Sequence, residues 1–206
     1  LPNIDNTNFA IKVNTFISSK KDIEDLVGKK YIPKQINLPE QFKAKVNYVG
    51  SVSDFTSDVD LNTNQGDALV QATINTNKQH ESFDVQIKTT TLNLGYLLKN
   101  NTLGKTSATI KAKGTSFTPE NMVADANISI ASIYLNKYTY SNITATANAK
   151  QGIIKTNLAI ADKNVILQLN AGANINKTIE TLVANIDLKG ANLKAIGLST
   201  DDLRAL

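Results

Sequence analysis

The sequence predicts a mainly β protein built on antiparallel sheet with one wet and one dry face, plus a few short capping helices. Three observations carry this. Apolar and polar residues alternate with period two along most of the chain. Turn-forming runs separate the alternating stretches: "TNQGD" around Gly66, "LNKY" at Leu135 to Tyr138 and "ADKN" at Ala161 to Asn164. Helical spacing surfaces only in brief bursts, and it does so directly after a strand.

In chain order, Phe9, Ile11 and Val13 form the first apolar stripe, and Phe42, Ala44, Val46 and Tyr48 the second. Phe55, Val59 and Leu61 follow, then Ala68, Val70, Ala72 and Ile74, then Phe83, Val85 and Ile87. Ala108, Ile110 and Ala112 precede a longer stripe from Met122 through Ala124, Ala126 and Ile128 to Ile130. Ile143, Ala145 and Ala147 lead to Ile154, Leu158 and Ile160. The last stripes are Val165, Leu167, Leu169 and Ala171, then Leu182, Ala184, Ile186 and Leu188. The intervening positions are mostly Lys, Asn, Asp, Gln, Ser and Thr, so about ten half-buried strands are expected.

The helical bursts have a pattern of their own. "SSKKDIEDLVGKK" offers Ser18 or Ser19 as a cap, with a helix expected over Ser19 to Val27 and Gly28 as its stop. Asn93 caps a turn expected over Leu92 to Leu98, and a third lies at Asn192 to Gly197. In "STDDLRAL", Ser199 and Asp202 have capping-box spacing. Phe83, Val85, Ile87, Asn93 and Leu94 align with Leu182, Ala184, Ile186, Asn192 and Leu193. Residues 1–206 therefore read as one β segment with loose internal repeats beginning near residues 8, 82 and 181. Each repeat is a strand that ends in a short apolar helix able to fold over the end of the dry face.

Composition narrows the function classes. Cysteine is absent, which excludes disulfides, thiolate metal sites and a cysteine nucleophile. The net charge of +4 is spread over scattered lysines such as Lys43, Lys45, Lys111 and Lys113, without the basic cluster and interleaved aromatics of a nucleic-acid binder. His80 is the only histidine and lies in the polar turn "NTNKQHES". The acidic run "DVDLNTNQGD" places Gly66 one position late for an EF-hand loop and has no Glu at the last ligand position, so it reads as a hairpin. The acids in "DIEDL" suit the start of a helix. No nucleophile, base and orienting group come together, so no enzymatic activity and no cofactor are expected. No stretch is long and apolar enough to span a membrane as a helix. The chain opens on "LPNIDN" without Met and reads as a piece of something longer.

"LPEQFKAKVNYVGSVSDFTSDVDLNTNQGDALVQATI" (Leu38 to Ile74) resembles a segment of the AsmA-like proteins, particularly the translocation and assembly module proteins (TamB) of Bacteroidetes. Leu38-Pro39, Phe42, Gly50, Leu61, Thr63, Gly66 and Ala68 carry the likeness. The block from "LGKTSATIKAKG" to "VILQLNAG" is similar to the family's next block, with its "Y.Y.N" strand and "D.N" turn. "VANIDLKGANLKAIGL" resembles its close, with "LKAIGL" a departure. The resemblance implies a long curved antiparallel sheet forming an apolar, β-taco-like groove. The parent would be a periplasm-spanning envelope protein anchored in the inner membrane. It implies phospholipid transport toward the outer membrane, or assistance to an outer-membrane assembly protein. The groove lining would come from the dry face: Val70, Ile74, Val85, Ile87, Ile110, Ile128, Ile130, Leu158, Ile160, Leu167, Leu169, Ile186 and Leu188. Its partners would be phospholipid acyl chains and neighbouring segments of the same chain. The other reading is a scaffold or adhesin-like β-domain with a sealed core.

Overall fold

The computed structural model describes residues 7–175, 181–201 and 204–205. They form one open antiparallel sheet in which every strand lies beside its predecessor in sequence. The order is β1 (Phe9–Ser19), β2 (Gln41–Gly50), β3 (Asp54–Thr63), β4 (Gly66–Asn75), β5 (Ser82–Asn93), β6 (Leu103–Thr115), β7 (Val123–Leu135), β8 (Tyr138–Lys150), β9 (Ile153–Asp162), β10 (Val165–Asn174) and β11 (Thr181–Asn192). A two-residue β12 (Arg204–Ala205) pairs with Ala191 and Asn192.

Local chemistry explains the sharp reversals. Asn136 and Lys137 both have positive φ (50° and 69°), as do Gln151 and Gly152 (50° and 78°). Both-positive pairs suit the twist of adjoining strands in two-residue hairpin loops. Gly66 has φ +102° after the Asn64-Gln65 turn, and a Cβ there would collide with the backbone of Thr91 and Leu92.

The first two helical bursts are present, each one turn long. α1 (Lys20–Ile23) opens with a full capping box: the Asp22 amide donates to the Ser19 hydroxyl at 3.2 Å, and the Asp22 carboxylate accepts from the Ser19 amide at 2.8 Å. It continues as a π turn over Glu24–Gly28, so the expected single helix has two geometries, and a separate 3-10 turn over Lys29–Tyr31 follows Gly28. α2 (Leu94–Leu97) is capped by Asn93, whose side chain accepts from the Tyr96 amide at 3.1 Å. At the third site Asn192 accepts from the Ala195 amide at 3.0 Å, but only a hydrogen-bonded turn forms before Gly197 (φ +77°) ends it.

Two expectations need correcting. No helix occupies Arg204–Ala205; they pair as a short strand with Asn192 and Ala191. The Ser199 hydroxyl accepts from the Asp201 amide at 3.0 Å, and Asp202, its expected box partner, lies outside the described residues. The eleven full strands match the eleven apolar stripes of the sequence one for one.

No second sheet covers the first among the described residues, so the sealed-core architecture is not the one found. The accessible surface is 13592 Å². A compact monomer of 22.3 kDa would expose about 9,400 Å². No large side chain among the described residues is fully buried.

Candidate functional site: the apolar face

Cross-strand register builds the site, because directly opposed residues point to the same face. Val13 lies opposite Val46, Val46 opposite Val59, and Val59 opposite Val70. The row continues through Ile87, Ile110, Ile128, Ala145, Leu158, Leu169 and Ile186. One aliphatic rung thus crosses all eleven full strands. At a strand spacing of about 4.8 Å, its ten steps span roughly 48 Å.

The flanking rungs differ in bulk. On one side Ala108, Ile130, Ile143, Ile160, Leu167 and Leu188 align. On the other, Val85, Ala112, Ala126, Ala147, Thr156, Ala171 and Ala184 align. Beyond that row lie Ile74, Phe83, Gly114, Ala124, Ala149, Ile154, Ala173 and Leu182. Small side chains therefore form a low strip over β6 to β10 that runs beside the bulky central rung and continues, apart from Ile154, into the outermost row. All thirteen residues expected to line the apolar face share it. Seven sit in the central rung: Val70, Ile87, Ile110, Ile128, Leu158, Leu169 and Ile186. Ile130, Ile160, Leu167 and Leu188 occupy the second rung, Val85 the small-residue row, and Ile74 the outermost. Those on β4 to β10 are half-buried, while Ile186 and Leu188 are exposed.

The other face is wet and cross-linked by polar pairs. Lys45 meets Asp60 at 3.6 Å, Gln71 donates to Asp58 at 3.1 Å, and Asn148 donates to Asp125 at 2.8 Å. A concavity of about 410 Å³ lies on this wet side of β1 to β5, among Lys12, Lys45, Asp58, Asp60, Gln71 and Lys88. Asp58 and Asp60 are thus placed on a strand, as the hairpin reading requires, and no metal-holding cluster of acids and histidines occurs among the described residues. His80 is exposed in the β4–β5 loop, where its amide donates to the Asn77 carbonyl at 2.8 Å.

One polar centre escaped the sequence reading. Asp162, 3% exposed, accepts from the Tyr138 hydroxyl at 2.5 Å, the Ser141 amide at 3.0 Å and hydroxyl at 2.7 Å, and the Asn164 amide at 2.9 Å. Burial alone would push its carboxyl up. The donors from Tyr138, Ser141 and Asn164 outweigh that and hold it below the usual carboxylate range. Burial and the adjacent carboxylate push the Tyr138 phenol up. Every partner is internal to the fold, so this centre ties two hairpins together. The sequence marks "ADKN" only as a turn; Tyr138 lies 24 residues away, beyond what local pattern reveals.

No family model matches the chain, no curated protein matches its sequence, and no solved structure matches its fold. The architecture itself defines the class: a single-layer, open antiparallel sheet with one continuous apolar face.

Proposed function

We propose that this chain is a non-enzymatic segment of an AsmA/TamB-like envelope protein, located in the periplasm, whose apolar face carries phospholipid acyl chains between membranes. The observation that supports this best is the unbroken aliphatic rung from Val13 to Ile186 beside the alanine strip of Ala112, Ala126, Ala147 and Ala171. A face of this length with no second sheet over it among the described residues is an apolar surface awaiting a cover. Neighbouring segments of the same chain would extend it, and an outer-membrane assembly protein would receive what it delivers.

Magnitudes fit a conduit better than a receptor. Burying a methylene is worth about 0.8 kcal/mol, so a fully covered sixteen-carbon chain gains on the order of 12 kcal/mol. An open face covers only one side of the chain, and ordering the chain subtracts more. Binding at micromolar strength or weaker is the result, with little head-group preference, because the described rungs contain no charged side chain.

The test uses protein purified without detergent, mass spectrometry of extracted lipid, and uptake of a fluorescent fatty acid. Mixed phospholipids and saturable probe uptake are expected. Ile128→Asp or Leu169→Asp should cut uptake at least tenfold while the β-type circular dichroism persists, since a charge on an uncovered face stays hydrated. Absence of both lipid and uptake, or uptake unchanged in both variants, sinks the proposal.

A further inference from the structure

The wet face carries a built feature of its own. Its concavity of about 410 Å³ crosses β1 to β5 on two polar rungs. One runs from Lys12 through Asn47, Asp58 and Gln71 to Gln86. The other runs from Lys45 through Asp60 and Leu69 to Lys88. Two carboxylates are already positioned inside it: half-buried Asp58 accepts from Gln71 at 3.1 Å, and half-buried Asp60 pairs with Lys45 at 3.6 Å. Leu69, 45% exposed, is the one apolar side chain that the lining presents on this face. Lys12 and Lys88 have no ion-pair partner among the described residues and stand at opposite ends, four strand spacings or about 19 Å apart along the sheet. The register shift of β1 after Val13 falls at the margin, and bulges recur beside binding sites, where they re-aim a side chain. We propose that this concavity binds an acidic oligosaccharide lying across β1 to β5.

The chemistry of the lining selects this ligand. A sugar hydroxyl both donates and accepts, and so do the side-chain amides of Gln71 and Gln86, while the Asp58 carboxylate accepts from a donating hydroxyl. Leu69 offers an apolar contact to the C–H face of a pyranose ring. Lys12 and Lys88 supply charge-assisted bonds to ligand carboxylates at the two ends. Three lysines against two aspartates leave a single net positive charge, too little to hold a polyanion by charge alone. A peptide fits worse: the backbone of β2, β3 and β4 is paired on both sides, so the concavity offers no free edge for strand addition. No aromatic ring lines it, so binding is expected at about millimolar strength. The site lies on the opposite face from the aliphatic rung and stands independently of the lipid proposal. Strands paired beyond β1 would extend the sheet in its plane and leave the concavity open.

The test is an amide-resolved NMR titration of the whole chain with oligogalacturonate, with a neutral malto-oligosaccharide and an oligoglutamate of equal charge as comparisons. Oligogalacturonate should give saturable shifts confined to β1 to β5, the malto-oligosaccharide weaker ones at the same residues, and oligoglutamate none that saturate. Asp58→Ala and Gln71→Ala should each weaken oligogalacturonate binding about tenfold. Lys12→Ala combined with Lys88→Ala should abolish the preference for the acidic sugar over the neutral one. Lys155→Ala, on the wet side of β9, should leave binding unchanged. All these side chains face solvent, so the β-type circular dichroism should persist in every variant. No saturable shift with oligogalacturonate overturns the proposal. So does an equal response to oligoglutamate, a response spread over the whole wet face, or binding unchanged in both Asp58→Ala and Gln71→Ala.

Discussion

The two rims of the sheet, where the strands turn, are built differently. On one rim lie α1, α2, the Asn192 turn and the register shifts of β1, β5, β6 and the β10–β11 pair. Nearly all the buried side chains gather there: Ser18, Ala44, Ala68, Leu92, Thr106, Asp162, Val165, Ala191 and Ile196. The far rim has tight loops and aromatic pairs, half-buried Tyr48 on Phe55 with centroids 5.0 Å apart and half-buried Phe83 on exposed Phe117 at 5.7 Å. A single sheet cannot enclose a core, so this chain folds helical turns over one rim. Ser18, Leu92 and Ala191 each precede a cap residue and are the points where the strand passes beneath its own turn. The loop before β2 adds to the cover: the Asn37 amide donates to Leu97 O at 2.8 Å, and the Tyr96 hydroxyl to Glu40 at 3.0 Å.

If stability resides in the helical rim, removing its polar knot should hurt most. Asp162→Ala leaves Tyr138, Ser141 and Asn164 without their acceptor and should cost about 3 kcal/mol by urea denaturation. Leu92→Ala should cost about 2 kcal/mol, whereas Ile74→Ala near the far rim, half-buried to begin with, should cost under about 1.5 kcal/mol. Equal losses would abolish the contrast. The caps grade next: Asn93→Ala or Ser19→Ala should each cost about 1 kcal/mol. The pH response is smaller and has a defined sign. The Asp162 carboxyl is held down in the folded state, so its contribution is complete above the unfolded value near 4 and is lost as pH falls through the folded value. Acid titration of stability in Asp162→Asn should be flatter than in the native chain over that window. Lys45→Ala on the wet face should change stability by less than about 0.5 kcal/mol, its partner Asp60 being a surface pair.

Much of this was legible in advance for a physical reason. A one-sided sheet writes its face into period-two alternation, so every stripe from Phe9 to Leu188 landed on a strand or immediately beside one, as Met122 does before β7. The caps at Ser19, Asn93 and Asn192 were legible because capping is a three-residue affair. Register was not. That Val13 and Ile186 end the same rung depends on the sum of ten turns and several bulges, and no local window contains it. The Asp162 centre was hidden likewise, since its carboxylate, Tyr138 and Ser141 belong to different hairpins. The edge that takes Arg204–Ala205 as a strand overrode a helical local preference.

The strict next-neighbour order of the strands has a consequence for how the chain comes into being. Each strand finds its partner about one hairpin away, so closure entropy is low at every step despite the wholly β content. Such a sheet can zip in one direction, each new hairpin templated on the last, as the chain is delivered N-terminus first. Pulse-labelled hydrogen exchange on nascent chains stalled after β4, β8 and β11 should show protection already complete in the earlier strands. The growing end is then always a bare strand, an unpaired template on which the next hairpin forms.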